Sequence, residues 1–331
     1  MSETFRAMVI DVVDGKPKGA FRDMTVADLP DQDVLVEVAY STLNYKDGLA
    51  VSGKGKIARR TPLVGGVDLC GTVVESRSAD WKPGDRVLVN GWGLSETEFG
   101  GYARFAKMRP EWLIRLPDTF SPAQAMAIGT AGYTAALCVD ALEKWGRIKS
   151  GEGEVLVTGA AGGVGSVAIA LLAAGGYNVT ASTGRPETHD YLRDLGASAF
   201  IDRATLQEKG GPLQKERWSG AVDSVGSVTL ANALSQTVRG GAIAACGLAG
   251  GADLPATVLP HILRSVALIG VDSVMAPRDE RQSAWTRLAR DLDRAKLDSI
   301  TTMEPMSRLP ELAEEILAGK IRGRVVIDVA R

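Results

Sequence analysis

Cysteine and histidine are scarce in this chain of 331 residues. The three cysteines, Cys70, Cys138 and Cys246, are widely spaced and odd in number. That excludes a disulfide framework and a clustered zinc site, and it fits a reducing compartment. The two histidines, His189 and His261, have no second ligand at metal spacing and read as surface or helix-packing residues. Charge of one sign is also missing: the formal net charge is -2, which argues against a nucleic acid or an acidic membrane surface as partner. The opening residues carry Glu3, Arg6 and Asp11 and no apolar core, so they do not read as a secretion signal. The longest apolar stretch, residues 155–174, is interrupted by glycines and is better read as a strand and helix than as a membrane span. A cytoplasmic protein without internal repeats or low-complexity tracts is expected. The length suggests two domains, and 45% hydrophobic residues suffice for their cores.

The most informative stretch that is present runs from the apolar residues 155–157 into Gly159, Gly162 and Gly165. Glycines three apart allow a sharp turn, a close backbone approach to a pyrophosphate and tight packing of the next helix on the sheet. A helical segment at 167–174 and a strand at 178–183 complete a βαβ unit, with Gly159, Ala161, Gly162, Gly163, Val164 and Gly165 around the turn. Amide groups and the dipole at that helix start favour an anion. A dinucleotide site follows; the alternative is a glycine-rich packing turn. At the end of the second strand, a binder of the unphosphorylated cofactor places an acid on the ribose 2′-hydroxyl. Here stand Ser182, Thr183, Gly184 and Arg185, two hydroxyls and a guanidinium suited to a 2′-phosphate, so NADP (NADPH) is the expected cofactor.

Residues 1–125 show short alternating runs, such as 34–39 and 86–89, punctuated by turns like Pro83-Gly84-Asp85, and read as β-rich. From residue 126 the texture becomes a helical stretch to 144, then strands at 221–224, 241–246 and 266–271, the alternation of a doubly wound parallel sheet. A helical pattern at 309–318 leads to a strand at 324–329 that returns to the first domain. The expected fold is α/β, with a β-rich domain from 1–125 and 300–331 and an NADP-binding Rossmann domain at 126–299.

Gly66-Val67-Asp68-Leu69-Cys70-Gly71 followed by the glycine turn resembles the medium-chain dehydrogenase/reductase superfamily over essentially the whole chain. Leu43-Asn44-Tyr45-Lys46-Asp47, Ser52-Gly53-Lys54-Gly55-Lys56 and Leu268-Ile269-Gly270-Val271-Asp272-Ser273-Val274 are similar to the acrylyl-CoA reductase group of zinc-independent, quinone-oxidoreductase-like enzymes. The resemblance implies a GroES-like catalytic domain, NADPH-dependent reduction of acrylyl-CoA to propanoyl-CoA, and a homodimer, for which the apolar strand at 266–274 would extend a sheet between subunits. It also implies that the metal is absent. The zinc-binding Gly-His-Glu of the superfamily's alcohol dehydrogenases is replaced by Gly66-Val67-Asp68, Asn44 stands at the early cysteine ligand, and no four-cysteine loop follows Gly91. Without a Lewis acid, reduction of an already polarised alkene is favoured over oxidation of a simple alcohol.

The chemistry this implies is hydride transfer to the β-carbon and protonation of the resulting enolate at the α-carbon. The candidate catalytic residues are Tyr45, Asn44 and Asp47: an amide donor and a phenol to orient the carbonyl, contact the nicotinamide or supply a proton, with Asp47 and Asp68 holding the loop. Lys54, Lys56, Arg59 and Arg60 are placed to meet the phosphates of an acyl-CoA; a solvated basic loop is the alternative. Fold position adds Arg203, Ser224, Gly226, Gly247 and Leu248 to the cofactor site, and the resemblance adds Ser273 and Arg322. Two other functions remain open: an NADPH:quinone oxidoreductase, and a non-catalytic NADPH-binding protein.

Overall fold

Strand Val34–Leu43 is the axis of the first of two units. It is buried over most of its length and pairs antiparallel with Asp68–Ser76, Phe105–Met108 and Arg324–Asp328. The computed structural model describes residues 3–13, 15–146 and 148–331. Within it, the first unit is Met1–Thr130, Val274–Gln282 and Asp298–Arg331, and the second is Ala131–Ser273 and Ser283–Leu297.

The first unit holds a seven-stranded sheet whose order is Thr301–Pro305, Arg324–Asp328, Val34–Leu43, Asp68–Ser76, Arg86–Asn90 and Ile114–Arg115, with Phe105–Met108 paired beside Val34–Leu43. A second sheet joins Lys16–Met24, Phe5–Val13 and Leu63–Val64. Met8, Val36, Leu69, Tyr102, Leu309 and Ile327 lie in the core of this unit. The last strand reaches the sheet through a parallel crossover: helix Leu309–Leu317 buries Leu309, Leu312 and Ala313, an i, i+3, i+4 stripe.

The second unit carries six parallel strands in the order Ala199–Asp202, Asn178–Thr183, Glu154–Val157, Trp218–Asp223, Thr237–Ala245 and Ala267–Gly270. This is the doubly wound order, with its reversal between Glu154–Val157 and Trp218–Asp223. The central strands read as apolar runs rather than alternations because helices cover both faces. Elements found from the sequence lie where expected with shifted ends, and Thr301–Pro305 was not foreseen.

The helical stretch expected to run to 144 is Pro122–Trp145, and it is broken at Gly129 (φ 50°, ψ -161°). Among the described residues it, rather than residues 155–174, is the helix long and apolar enough to cross a membrane, and 83% of its apolar window is buried inside the protein.

Candidate functional site

In the first unit, Asn44 ends strand Val34–Leu43 and starts helix Tyr45–Ser52 through a capping box with Asp47, whose carboxylate accepts the Asn44 backbone N–H at 2.9 Å. The other Asp47 oxygen accepts the Val67 N–H at 3.0 Å. Asp47 is wholly buried, and burial, then the neighbouring Asp68 carboxylate, pushes its pKa up to about 7. The Asp68 carboxylate, also buried, accepts from Asn44 Nδ2 (2.8 Å), Asn90 Nδ2 (2.6 Å), Thr130 Oγ1 (2.6 Å) and the Thr130 N–H (3.0 Å). Arg324 is 3% exposed and donates to Ala127 O (2.7 Å), Thr42 Oγ1 (2.9 Å) and Asn44 Oδ1 (3.2 Å). Tyr102 donates its hydroxyl to Thr42 O at 2.9 Å, and burial, then Asp47 and Asp68, hold its phenol well above the usual range.

This network explains the break at Gly129. A Cβ there would stand 2.8 Å from Arg324 Nη2, 2.8 Å from Thr42 Cγ2 and 3.1 Å from Asp68 Oδ2. Glycine makes room for the buried charges and supplies the positive φ. The helix restarts at Thr130, and Asp68 receives the amide that the break releases.

The geometry changes the reading of Asn44. Its amide donates to Asp47 at 3.1 Å and to Asp68 at 2.8 Å, and its carbonyl oxygen faces Arg324. Both donor hydrogens are engaged by carboxylates, so Asn44 fixes the loop instead of offering an amide to a substrate carbonyl. Asp47, with no solvent access, has the same positional role. Tyr45, the first residue of the helix, is the exposed member of the group at 45%. Asn90, Thr130, Thr42 and Arg324 escaped the sequence reading. The signals were a glycine inside an apolar helix and an arginine opening an apolar strand.

The basic residues 54–60 are exposed, and three have acidic partners: Lys54 with Glu314, Arg59 with Glu96 at 3.5 Å, and Arg60 with Glu98 at 3.8 Å. Lys56 is exposed and has no ion pair among the described residues.

In the second unit, Gly159 has φ 59°, and a Cβ there would meet Ser224 Oγ at 2.5 Å. A Cβ on Gly165 would meet the Gly159 carbonyl oxygen at 2.5 Å, so this glycine is required by close packing of helix on turn. Gly162 is the N-cap of helix Gly163–Ala174 and is exposed; no side chain caps that helix start, with Gly163 and Val164 half-buried and Ala161 buried beside it. The amides at this start are therefore left without a side-chain acceptor, which fits a pyrophosphate.

Ser182 and Thr183 end their strand buried, and Thr183 Oγ1 accepts the Arg185 N–H at 3.1 Å. A Cβ on Gly184 would lie 2.5 Å from Arg203 Nε. Arg203, just after Ala199–Asp202, thus crosses the bare backbone of Gly184, the residue before Arg185, so the ends of two neighbouring parallel strands each bring a guanidinium-bearing residue. This arrangement fits the 2′-phosphate of NADP.

At the next strand end Ser224 donates its N–H to Thr158 Oγ1 at 3.2 Å, while buried Asp223 accepts from Thr158 Oγ1 at 2.6 Å and from the Gly226 N–H at 2.8 Å. Burial holds Asp223 above the usual carboxylate range. Gly247 backs onto the Ser224 carbonyl, and Leu248 beside it is 64% exposed. Ser273 accepts from Thr134 Oγ1 at 2.7 Å. Arg322 belongs to the first unit, in the turn before Arg324–Asp328, not to the unit of the glycine turn. His189 stacks on Phe200, and His261 Nδ1 lies 2.7 Å from Val266 O. Among the described residues, no three His, Cys, Asp or Glu cluster as a metal site.

The family model described as alcohol dehydrogenase GroES-like domain matches residues 30–118, and the one described as zinc-binding dehydrogenase matches residues 163–290. Acrylyl-CoA reductase AcuI of Ruegeria pomeroyi is 50% identical over 98% of this chain and 99% of its own length. Putative quinone oxidoreductase YhfP of Bacillus subtilis is 42% identical over 99% of this chain and 100% of its own. The crystal structure of the YhdH oxidoreductase from Salmonella enterica in complex with NADP is similar at TM-score 0.95 and 45% identity, covering 98% of this chain and 99% of that one.

Proposed function

The chain belongs to the medium-chain dehydrogenase/reductase superfamily and, within it, to the acrylyl-CoA reductase group, and from that premise we propose that it reduces acrylyl-CoA to propanoyl-CoA with NADPH. The observation that carries this reading is the end-to-end identity of 50% with an acrylyl-CoA reductase.

NADPH, when bound, supplies the hydride that the β-carbon accepts. The start of helix Gly163–Ala174 holds its pyrophosphate, and Ser182, Thr183, Arg185 and Arg203 hold the 2′-phosphate. Ser224, Gly247, Leu248 and Ser273 line its further length. Tyr45, at the exposed end of a loop fixed by Asn44, Asp47 and Asp68, offers its phenol to the thioester substrate. Protonation of the α-carbon completes the reaction, without zinc: Val67 and Asn44, at two ligand positions of the zinc enzymes, support this, since valine cannot bind a metal and the Asn44 side chain is engaged.

The protein acts in the cytoplasm, on an acyl-CoA, without nucleic acid or membrane, as a homodimer. Support for the dimer comes from Ala267–Gly270, an edge strand paired on one side, and from the exposed Leu254, Val258, Ile262 and Leu263 that precede it in the chain. Light scattering after size exclusion tests it; a strict monomer would overturn it.

The deciding experiment is NADPH oxidation by metal-free protein with acrylyl-CoA, with NADH and a simple quinone in parallel. Fast NADPH-selective turnover of acrylyl-CoA is expected. Turnover confined to the quinone would establish the second reading, which the similarity to a putative quinone oxidoreductase favours. NADPH binding without any turnover would establish a non-catalytic protein.

A further inference from the structure

Loop 91–99 of the first unit is a built platform rather than a slack connection. Gly91 and Gly93 have positive φ, as do Trp92 (53°) and Ser95 (67°), a conformation that L side chains adopt only when held. It is held from two sides: the Trp92 N–H donates to Val274 O at 2.9 Å, and the Arg281 guanidinium lies 4.1 Å from the centre of the Trp92 ring. The Gly93 carbonyl then accepts the N–H groups of Glu96 (3.0 Å), Thr97 (2.9 Å) and Glu98 (3.0 Å). This tight turn fixes two acids close together.

Each acid is shared by two cations. Glu96 faces Lys46 at 2.5 Å and Arg59 at 3.5 Å; Glu98 faces Arg60 at 3.8 Å and Arg109 at 3.9 Å. The acid side chains are recessed, 14% and 19% exposed, whereas Arg59, Arg60 and Arg109 are 73%, 53% and 51% exposed. Four cations over two acids leave a net positive charge, and the exposed Lys56 stands three residues before Arg59 in the chain. The three arginine contacts are longer than hydrogen bonds, so the guanidinium forks are drawn into one cluster by charge while their directed donors stay available. The basic segment is tied to the platform by the Arg59 N–H, which donates to the Glu96 carbonyl oxygen at 2.7 Å.

We infer that the cluster of Lys46, Lys56, Arg59, Arg60 and Arg109, organised by Glu96 and Glu98, is the binding surface for the phosphates of the CoA nucleotide. The inference rests on the acyl-CoA reading of the substrate and adds Lys46 and Arg109, together with a role for the two acids. Recessed carboxylates preorganise the cations and moderate their mutual repulsion, and a phosphate oxygen takes the outward donors. A merely structural cluster and a phosphate site respond oppositely when an acid is neutralised, because loss of a carboxylate weakens the first and makes the second more positive.

The test compares acrylyl-CoA with the acrylyl thioester of pantetheine, which lacks the nucleotide phosphates, and measures CoA binding directly by calorimetry. In Arg60→Gln/Arg109→Gln, the ratio of kcat/KM for the CoA ester to that for the pantetheine ester should fall about tenfold, and CoA affinity should fall in parallel. In Glu98→Gln, CoA should bind severalfold more tightly. A wild-type ratio in the arginine variant, or weakened CoA binding in Glu98→Gln, would overturn the inference. If wild type reduces neither thioester yet binds CoA with this dependence on arginine and acid, the phosphate surface stands and the reductase reading falls.

Discussion

Two helix starts in this protein solve the same problem in opposite ways. The helix resumed at Thr130 in the first unit offers its amide to the protein's own buried carboxylate, Asp68. The helix Gly163–Ala174 in the second unit begins on an exposed glycine with no side-chain cap. Orphan amides at a helix start need an acceptor, from the chain or from a ligand. The first start is closed by internal charge; the second is left for a phosphate. Whether a helix start binds a ligand therefore depends less on its dipole than on whether a nearby acid has already taken its donors.

Breaking the closed start should have the largest effect. Asp68→Ala leaves Arg324 buried without its nearby carboxylate and strands donors of Asn44, Asn90 and Thr130, at a cost of about 3–5 kcal/mol; denaturant unfolding reads the loss, and a cost below 1 kcal/mol would mean that the network relaxes into water. Closing the open start should be nearly as informative. Gly162→Asp gives helix Gly163–Ala174 its own cap, worth up to about 1 kcal/mol, while like charge lowers NADPH affinity about 100-fold. A Cβ at Gly162 meets only the Gly159 carbonyl oxygen, at 3.2 Å, so the substitution is tolerable. Unchanged NADPH affinity would show that the pyrophosphate lies elsewhere.

Three finer changes sharpen the comparison. Arg203→Gln should reduce the preference for NADPH over NADH about tenfold in fluorescence titrations with little change for NADH; equal losses for both would remove Arg203 from the 2′-phosphate. Tyr45→Phe should slow turnover severalfold, with NADPH affinity nearly preserved; undiminished turnover would take Tyr45 out of the mechanism. The smallest signal is a slope. The folded value for Asp47, about 7, lies above its ordinary 3.8, so between those values the unfolded chain has released a proton that the folded protein retains. Stability contributed at this site therefore falls as pH rises through that window and levels off above about 7. Asp47→Asn lacks this proton. The unfolding free energy of wild type minus that of the variant should decline from about pH 4 to about pH 7, and a flat difference would mean that Asp47 titrates as in water.

Much of the second unit was legible because its devices are local. Gly159, Gly162 and Gly165 sit in one turn, and the lack of an acid after Asn178–Thr183 can be read within a few residues. Even there, the partnership of Gly184 with Arg203 was hidden, because it is a contact between two strand ends and not a spacing. The first unit was legible in texture and resemblance but not in its site. Asn44, Asp68, Asn90, Thr130 and Arg324 come from five separate segments, and no periodicity announces that one amide will be divided between two carboxylates and a guanidinium. The break at Gly129 was missed for the same reason: within an apolar, helix-forming stretch, glycine costs only about 1 kcal/mol relative to alanine, and what makes it necessary lies far away in the chain.

The placement of Arg324 also sets an order of events during synthesis. The strand it opens, Arg324–Asp328, lies between Val34–Leu43 and Thr301–Pro305, and its guanidinium completes contacts to Thr42, Asn44 and Ala127. On the ribosome, everything needed for the six-stranded sheet emerges before this strand does. The first unit, although Val34–Leu43 is translated earlier, waits with an open sheet edge until Arg324–Asp328 has been made.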